Sequence, residues 1–114
     1  MDELINAIAT ATGVTPQRTR QATGIILSFL SREAPPDAAG ALLDCLPGSR
    51  ELAAETGGGK GGLMGLFGEL TGAGLGIGDI QAVASELISY ARAKAGATKV
   101  DAVIGAIPGL GQFL

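Results

Sequence analysis

Apolar residues recur along the chain at three- and four-residue spacing, the period of an α-helix with one buried face. Leu4, Ile5 and Ile8 form the first such stripe, with Asp2 and Glu3 in a first turn where acids complement the helix dipole. Gly13 ends that helix. Thr15-Pro16 predicts the start of a second, with Thr15 as N-cap and Pro16 at the first helical position. Its stripe is Ala22, Ile25, Ile26, Phe29 and Leu30. Pro35-Pro36 terminates it, because a residue before proline is pushed out of the helical region. A third helix opens near Pro36-Asp37, presents Ala39, Leu42, Leu43 and Leu46, and stops at Pro47-Gly48. Ser49 is the expected cap of a short piece from Arg50 to Glu55, which Gly57 closes.

The pattern then changes. Thr56 to Gly62 is almost all glycine around Lys60 and reads as a flexible loop. Leu63, Leu66, Phe67 and Leu70 return to helical spacing, but Gly65, Gly68 and Gly72 stand among them. Each interior glycine costs about 1 kcal/mol relative to alanine, so this helix depends on packing. A second loop, Gly72 to Gly78, leads into a helix whose stripe is Ile80, Val83, Ala84, Leu87, Ile88 and Ala91, ended by Gly96. Thr98 and Asp101 have capping-box spacing. Val100, Val103, Ile104 and Ile107 follow at core spacing as far as Pro108-Gly109, leaving a tail from Leu110 to Leu114.

The chain also repeats itself. At an offset of 61 (102 minus 41), Ala41 to Gly48 faces Ala102 to Gly109, and Ile26-Leu27-Ser28-Phe29 faces Leu87-Ile88-Ser89-Tyr90. Further upstream a two-residue insertion places Gly13-Val14-Thr15 opposite Gly76-Ile77-Gly78. Apolar positions match apolar positions through both helices and the turn between them, with Ile25 opposite Glu86 as the clear mismatch. A helical hairpin cannot bury its own stripe, whereas two copies stacked face to face can. The expected fold is therefore all-α: a compact helical bundle built from two repeated helical hairpins plus two shorter helices, with an approximate two-fold. It is one domain over residues 1–114, with repeat one at about 1–56, a Gly-rich linker at 57–62 and repeat two at about 63–114. Leu46 and Ile107 take equivalent core places in this scheme, and Leu43 and Ile104 sit at the centre of matched stripes.

The order of these signals is a short helix, a Gly13-Val14-Thr15 cap, a long helix, a Leu46-Pro47-Gly48 stop and a Gly/Leu-rich middle. A Gly76-Ile77 cap and two more helices follow, ending on Ile107-Pro108-Gly109. This order resembles the small helical bacterial proteins called VcgC/VcgE-like, a domain of unknown function. The likeness covers nearly the whole chain and rests on pattern and small-residue spacing rather than on a catalytic motif. It implies a bacterial all-helical domain and carries over no catalytic or binding residue.

Composition narrows the chemistry. With 114 residues, 46% hydrophobic and 17% charged, the chain is long and apolar enough to bury a core without disulfides or metal. It holds no histidine, which removes the commonest general base and metal ligand. Its one cysteine, Cys45, makes neither an internal disulfide nor a Cys-based zinc site, and is expected as a small buried apolar residue. A net charge of -3 with scattered lysines and arginines argues against nucleic acid, which needs a basic face. Gly57-Gly58-Gly59-Lys60-Gly61-Gly62 is not a phosphate loop, because Gly61 stands where Ser or Thr would hold magnesium and the preceding segment reads as helix. The nearest acids, Asp44, Glu51 and Glu55, read as an exposed helix face. No enzyme constellation emerges, and no catalytic residue, metal site or cofactor is expected. The amino terminus lacks a basic n-region and a long apolar stretch, so a cytoplasmic location is expected. No segment qualifies as a transmembrane helix.

Gly61 to Ile77 stands apart, with Leu63, Met64, Leu66, Phe67, Leu70, Leu75 and Ile77 on a glycine-softened backbone between two loops. The plain reading is a helix that closes the core. The functional reading is a segment that leaves the core to accept an apolar partner. The expectation is a non-enzymatic binding module for a lipid-like ligand or an apolar protein surface, with Phe29, Leu63, Leu66, Phe67, Leu70 and Tyr90 as the candidate lining. Tyr90 is expected at the core edge with its hydroxyl in water. The alternatives are peripheral membrane association through the central segment and self-association as a structural homo-oligomer.

Overall fold

The computed structural model describes residues 2–56 and 62–107. They form seven α-helices: α1 Asp2–Thr12, α2 Pro16–Glu33, α3 Pro36–Asp44, α4 Ser49–Thr56, α5 Gly62–Gly72, α6 Ile77–Ala95 and α7 Ala97–Ala106. No strand occurs among the described residues. One hydrophobic cluster draws on all seven helices, from Leu4 and Ile8 in α1 to Val100 and Val103 in α7.

The strongest local signals act where they stand. Thr15 Oγ1 accepts the Arg18 N–H at 3.3 Å, with Pro16 opening α2 behind it. The prolines at 35 and 36 stop α2 at Glu33 and open α3 at once. Gly96, at φ 90°, occupies the single position between α6 and α7, a left-handed conformation that a side chain would strain. The second loop is shorter than its glycines suggest. It ends at Gly76, whose N–H donates to the Asp79 carboxylate at 3.4 Å, so α6 starts at Ile77.

Two expected caps serve other purposes. Ser49 is the first residue of α4 and is fully buried; its hydroxyl donates to the Leu43 carbonyl at 2.8 Å and so fastens the turn between α3 and α4. Thr98 and Asp101 lie inside α7, which has no side-chain cap bond. The Asp101 carboxylate instead accepts from Arg92 at 2.9 Å and ties α7 to α6. Pro108-Gly109, the glycine-rich stretch 57–61 with Lys60, and the tail 110–114 lie outside the described residues.

α2 is the hub. It packs against α1, α3, α4, α5 and α6, and every residue from Ala22 to Leu30 is buried. A single apolar stripe therefore underestimates it, because Thr23, Gly24, Leu27 and Ser28 are enclosed as well. Gly24 sets the approach of α4. A Cβ there would overlap the Thr56 hydroxyl, come within 2.9 Å of Thr56 Cβ and sit 3.3 Å from the Leu52 carbonyl oxygen. Gly24→Val is expected to destabilise the protein by about 1–3 kcal/mol, the usual range for overpacking. The check is a shift of the denaturant midpoint at constant slope, and an unchanged midpoint would mean that α4 does not lie on this glycine.

The second half is thinner. α6 packs on α1, α2 and α7, and α7 packs on α3. Leu46 and Ile107 are 2% and 4% exposed, both in the core. Of the pair expected at the stripe centres, Leu43 is buried but Ile104 is only half-buried, and Val103 takes the inner position on α7.

Candidate functional site

The six candidate residues fall into three groups. Phe29, Leu66 and Leu70 are 1%, 2% and 1% exposed and belong to the core. Phe67 and Tyr90 are half-buried and pack against it. The side chain of Leu63 lies outside the described residues. Phe29, Leu66 and Leu70 are thus almost wholly enclosed by their neighbours.

Interior glycines weaken α5 relative to a helix of alanines. Its main contact is with α2, and it turns Leu66 and Leu70 inward. Met64, Gly68, Thr71 and Gly72 face solvent. A Cβ built on Gly68 or Gly72 meets nothing within 4 Å, and neither residue has a positive φ. The fold therefore requires glycine at neither position. The two large hydrophobics exposed among the described residues are Met64 at 81%, in the first turn of α5, and Ile77 at 71%, the first residue of α6. The Leu75 side chain is buried just beyond it, and the Leu75 N–H donates back to the Leu70 carbonyl at 3.3 Å.

Tyr90 belongs to a separate concavity of about 250 Å³ between α1, the α3–α4 turn and α6. Leu4, Leu46, Pro47 and the Tyr90 ring form its apolar part. Glu3, Cys45 and Lys94 form its polar part. Lys94 Nζ lies 5.6 Å from the Tyr90 ring centroid, a cation–π arrangement. Cys45 is not the fully buried residue that its type suggested. It is half-buried, and Lys99 of α7 donates to its sulfur at 3.3 Å. Of these groups, the i, i+4 spacing of Tyr90 and Lys94 was open to detection in the sequence. Cys45 and Lys99 stand 54 residues apart, so only the fold joins them.

Asp44, Glu51 and Glu55 are all exposed, and two of them form ion pairs. Asp44 binds Arg50 at 2.8 Å, and Glu55 binds Arg20 at 3.0 Å. All four side chains are substantially exposed, so each pair is worth at most about 1 kcal/mol. No group of three metal-ligating side chains occurs among the described residues. No described helix is long and apolar enough to cross a membrane. Comparisons with protein-family models, with curated proteins and with solved structures give no match.

Proposed function

We propose that the protein is a non-enzymatic helical binding module that takes an apolar partner, a lipid-like chain or an apolar protein surface, on α5 and the start of α6. The observation that carries this reading is the exposure of Met64, in the first turn of the glycine-softened α5, and of Ile77, the first residue of α6. Isolated exposed apolar residues are ordinary on a protein surface, but these two flank a stretch in which a Cβ at Gly68 or Gly72 would meet nothing within 4 Å. Interior glycine weakens a helix and leaves its backbone open to close approach.

The test uses Met64→Asp and Ile77→Asp, which alter exposed positions and leave the core intact. Native mass spectrometry and sedimentation with liposomes compare them with the wild type. The reading expects co-purified lipid, liposome binding or a bound partner in the wild type and its loss in both variants. Binding to liposomes without a discrete ligand favours the membrane-surface alternative. Clean multiples of the chain mass with neither lipid nor liposome binding favour the homo-oligomer.

Gly68→Ala supplies a second check. In open space and at helical dihedrals, the change is expected to stabilise α5 by about 1 kcal/mol. Slower amide exchange across α5 together with weaker binding fits a helix that must loosen or approach its partner closely. Slower exchange with unchanged binding argues against both.

The same reading treats the chain as an internal duplication, consistent with the VcgC/VcgE-like resemblance and the bacterial origin which that resemblance implies. Three features support it. α2 and α6 open at Pro16 and Ile77, and α3 and α7 at Pro36 and Ala97, each at the offset of 61 (77 minus 16, 97 minus 36). The left-handed glycines Gly13 and Gly74, at φ 78° and 96°, stand at the same offset, so no insertion is needed. Buried positions also correspond: Ala22 with Val83, Ile26 with Leu87, Leu30 with Ala91, and Leu42 with Val103. The Ile25–Glu86 mismatch then has a physical cause. Gly24, Ile25 and Ser28 are buried on α2, where α4 packs, while Ser85, Glu86 and Ser89 are exposed on α6.

A further inference from the structure

We propose that the face of α6 carrying Gly78, Ala82, Ser85, Ser89 and Ala93 is the seat of this chain's own segment 110–114, held there as α4 is held on α2. This placement rests on the internal duplication read above. At the offset of 61, the five positions correspond to Gln17, Gln21, Gly24, Ser28 and Arg32 of α2. Those residues lie along α4. Gln17 and Gln21 border one cleft with Leu52 and Thr56, and Ser28 and Arg32 border another with Arg50 and Ala53. Gly24 stands between the clefts, under Leu52 and Thr56. On α6 the same stripe is uncovered among the described residues: Ala82 is half-buried and the other four are exposed. The helices around it are arranged in a two-fold pattern, in which α1 packs on α6 as α5 packs on α2, and α3 packs on α7. Among the described helices, α4 alone has no counterpart in that pattern.

The sequence at the counterpart positions matches the seat. α4 follows Leu46-Pro47-Gly48, and residues 110–114 follow Ile107-Pro108-Gly109. The residues that α4 buries are Ser49, Leu52 and Ala53. Adding 61 gives Leu110, Phe113 and Leu114, which are all the apolar residues of the segment, at the i, i+3, i+4 spacing of one helical face. The exposed Arg50 and Glu51 correspond to Gly111 and Gln112. The seat has room for these larger occupants. It is lined by glycine, alanine and serine where α2 has two glutamines and an arginine, and the distance between packed helices follows the side chains at the contact. Ser85 in place of Gly24 is no obstacle, because Gly24 makes room chiefly for Thr56, whose counterpart is not among 110–114. Glu86, the counterpart of Ile25, is exposed beside the stripe and keeps that edge polar.

The test is disulfide capture in the full chain with Cys45→Ser, which removes the native thiol. Ser28 and Ala53 border one cleft, so their counterparts Ser89 and Leu114 are the pair to link. Ser89→Cys with Leu114→Cys is expected to close an intramolecular disulfide on mild oxidation, since docking brings the two backbones within reach of that bond. Met64→Cys with Leu114→Cys, which offers a thiol on the exposed apolar face of α5 instead, is expected to stay reduced. Amide shifts give a second readout without engineered thiols: Phe113→Asp should move the amides of Ala82, Ser85 and Ser89, whereas Gln112→Asp should leave them in place. The proposal is overturned by a disulfide that forms between chains, by equal or preferred capture at position 64, or by α6 amides that do not respond to Phe113→Asp. Superposition of α2–α3 on α6–α7 in a crystal structure tests the duplication separately. A segment that fails to dock on superposable hairpins overturns this proposal alone, and hairpins that do not superpose overturn the duplication while a closed Ser89–Leu114 link still upholds the docking.

Discussion

Phe29→Ala is expected to cost about 3–5 kcal/mol of folding stability, the range for a large aromatic removed from a close-packed interior. Phe29 is 1% exposed and is among the largest fully buried side chains, on the helix that contacts five others. Its removal leaves a void that α2 cannot close, because neighbours hold that helix on several sides and rigid interiors relax only in part. In a domain of this size the loss corresponds to a fall of more than about 10 °C in melting temperature. Tyr90→Ala is the comparison, since Tyr90 is an aromatic on α6 that is only half-buried. It should cost clearly less while altering the neighbouring concavity. Thermal and denaturant unfolding of the two variants decide the matter. If Phe29→Ala unfolds within about 1 kcal/mol of the wild type, Phe29 is not a core residue and its place in a ligand-contacting surface has to be reopened.

The contrast between these two positions also indicates what was legible in the sequence. Helix starts and stops that depend on one residue's own chemistry were readable: Thr15-Pro16, the prolines at 35 and 36, and Gly96 act within one turn of where they stand. The inward stripe of α6 was readable in full, and that of α7 at Val100 and Val103 but not at Ile104, which is half-buried. α2 was readable only in part. Its burial from Ala22 to Leu30 reflects the number of its neighbours, and periodicity reports one buried face rather than several. Ser49 and Asp101 match capping patterns by type and spacing, yet tertiary partners claim both: the Leu43 carbonyl for one and Arg92 for the other. The candidate surface divided for the same reason. Leu66 and Phe67 are adjacent in sequence, but one is 2% exposed and the other is half-buried, and hydropathy alone does not separate them.

Leu70→Ala should release α5 while leaving the rest of the protein folded. Leu66 and Leu70 hold this helix inward, each contributing roughly 1.5–3 kcal/mol by burial. Against them stand the interior glycines Gly65 and Gly68, at about 1 kcal/mol each. The balance is therefore small, and losing one leucine, about 2–5 kcal/mol for such a truncation, is comparable to all of it. Val83→Ala on α6 is the comparison: Val83 is 0% exposed, and its removal weakens the core that all the helices share. Hydrogen exchange distinguishes the two outcomes, since local opening and global unfolding protect different sets of amides. In Leu70→Ala, amides from Leu66 to Gly72 should lose most of their protection while those from Ile80 to Ala91 keep theirs. In Val83→Ala, protection should fall in both segments together. Binding to an apolar partner should survive or strengthen in Leu70→Ala, because the variant no longer spends free energy to open the helix. Equal loss of protection in both segments of Leu70→Ala would mean that α5 unfolds only with the whole domain. A surface that depends on its release would then have no physical basis.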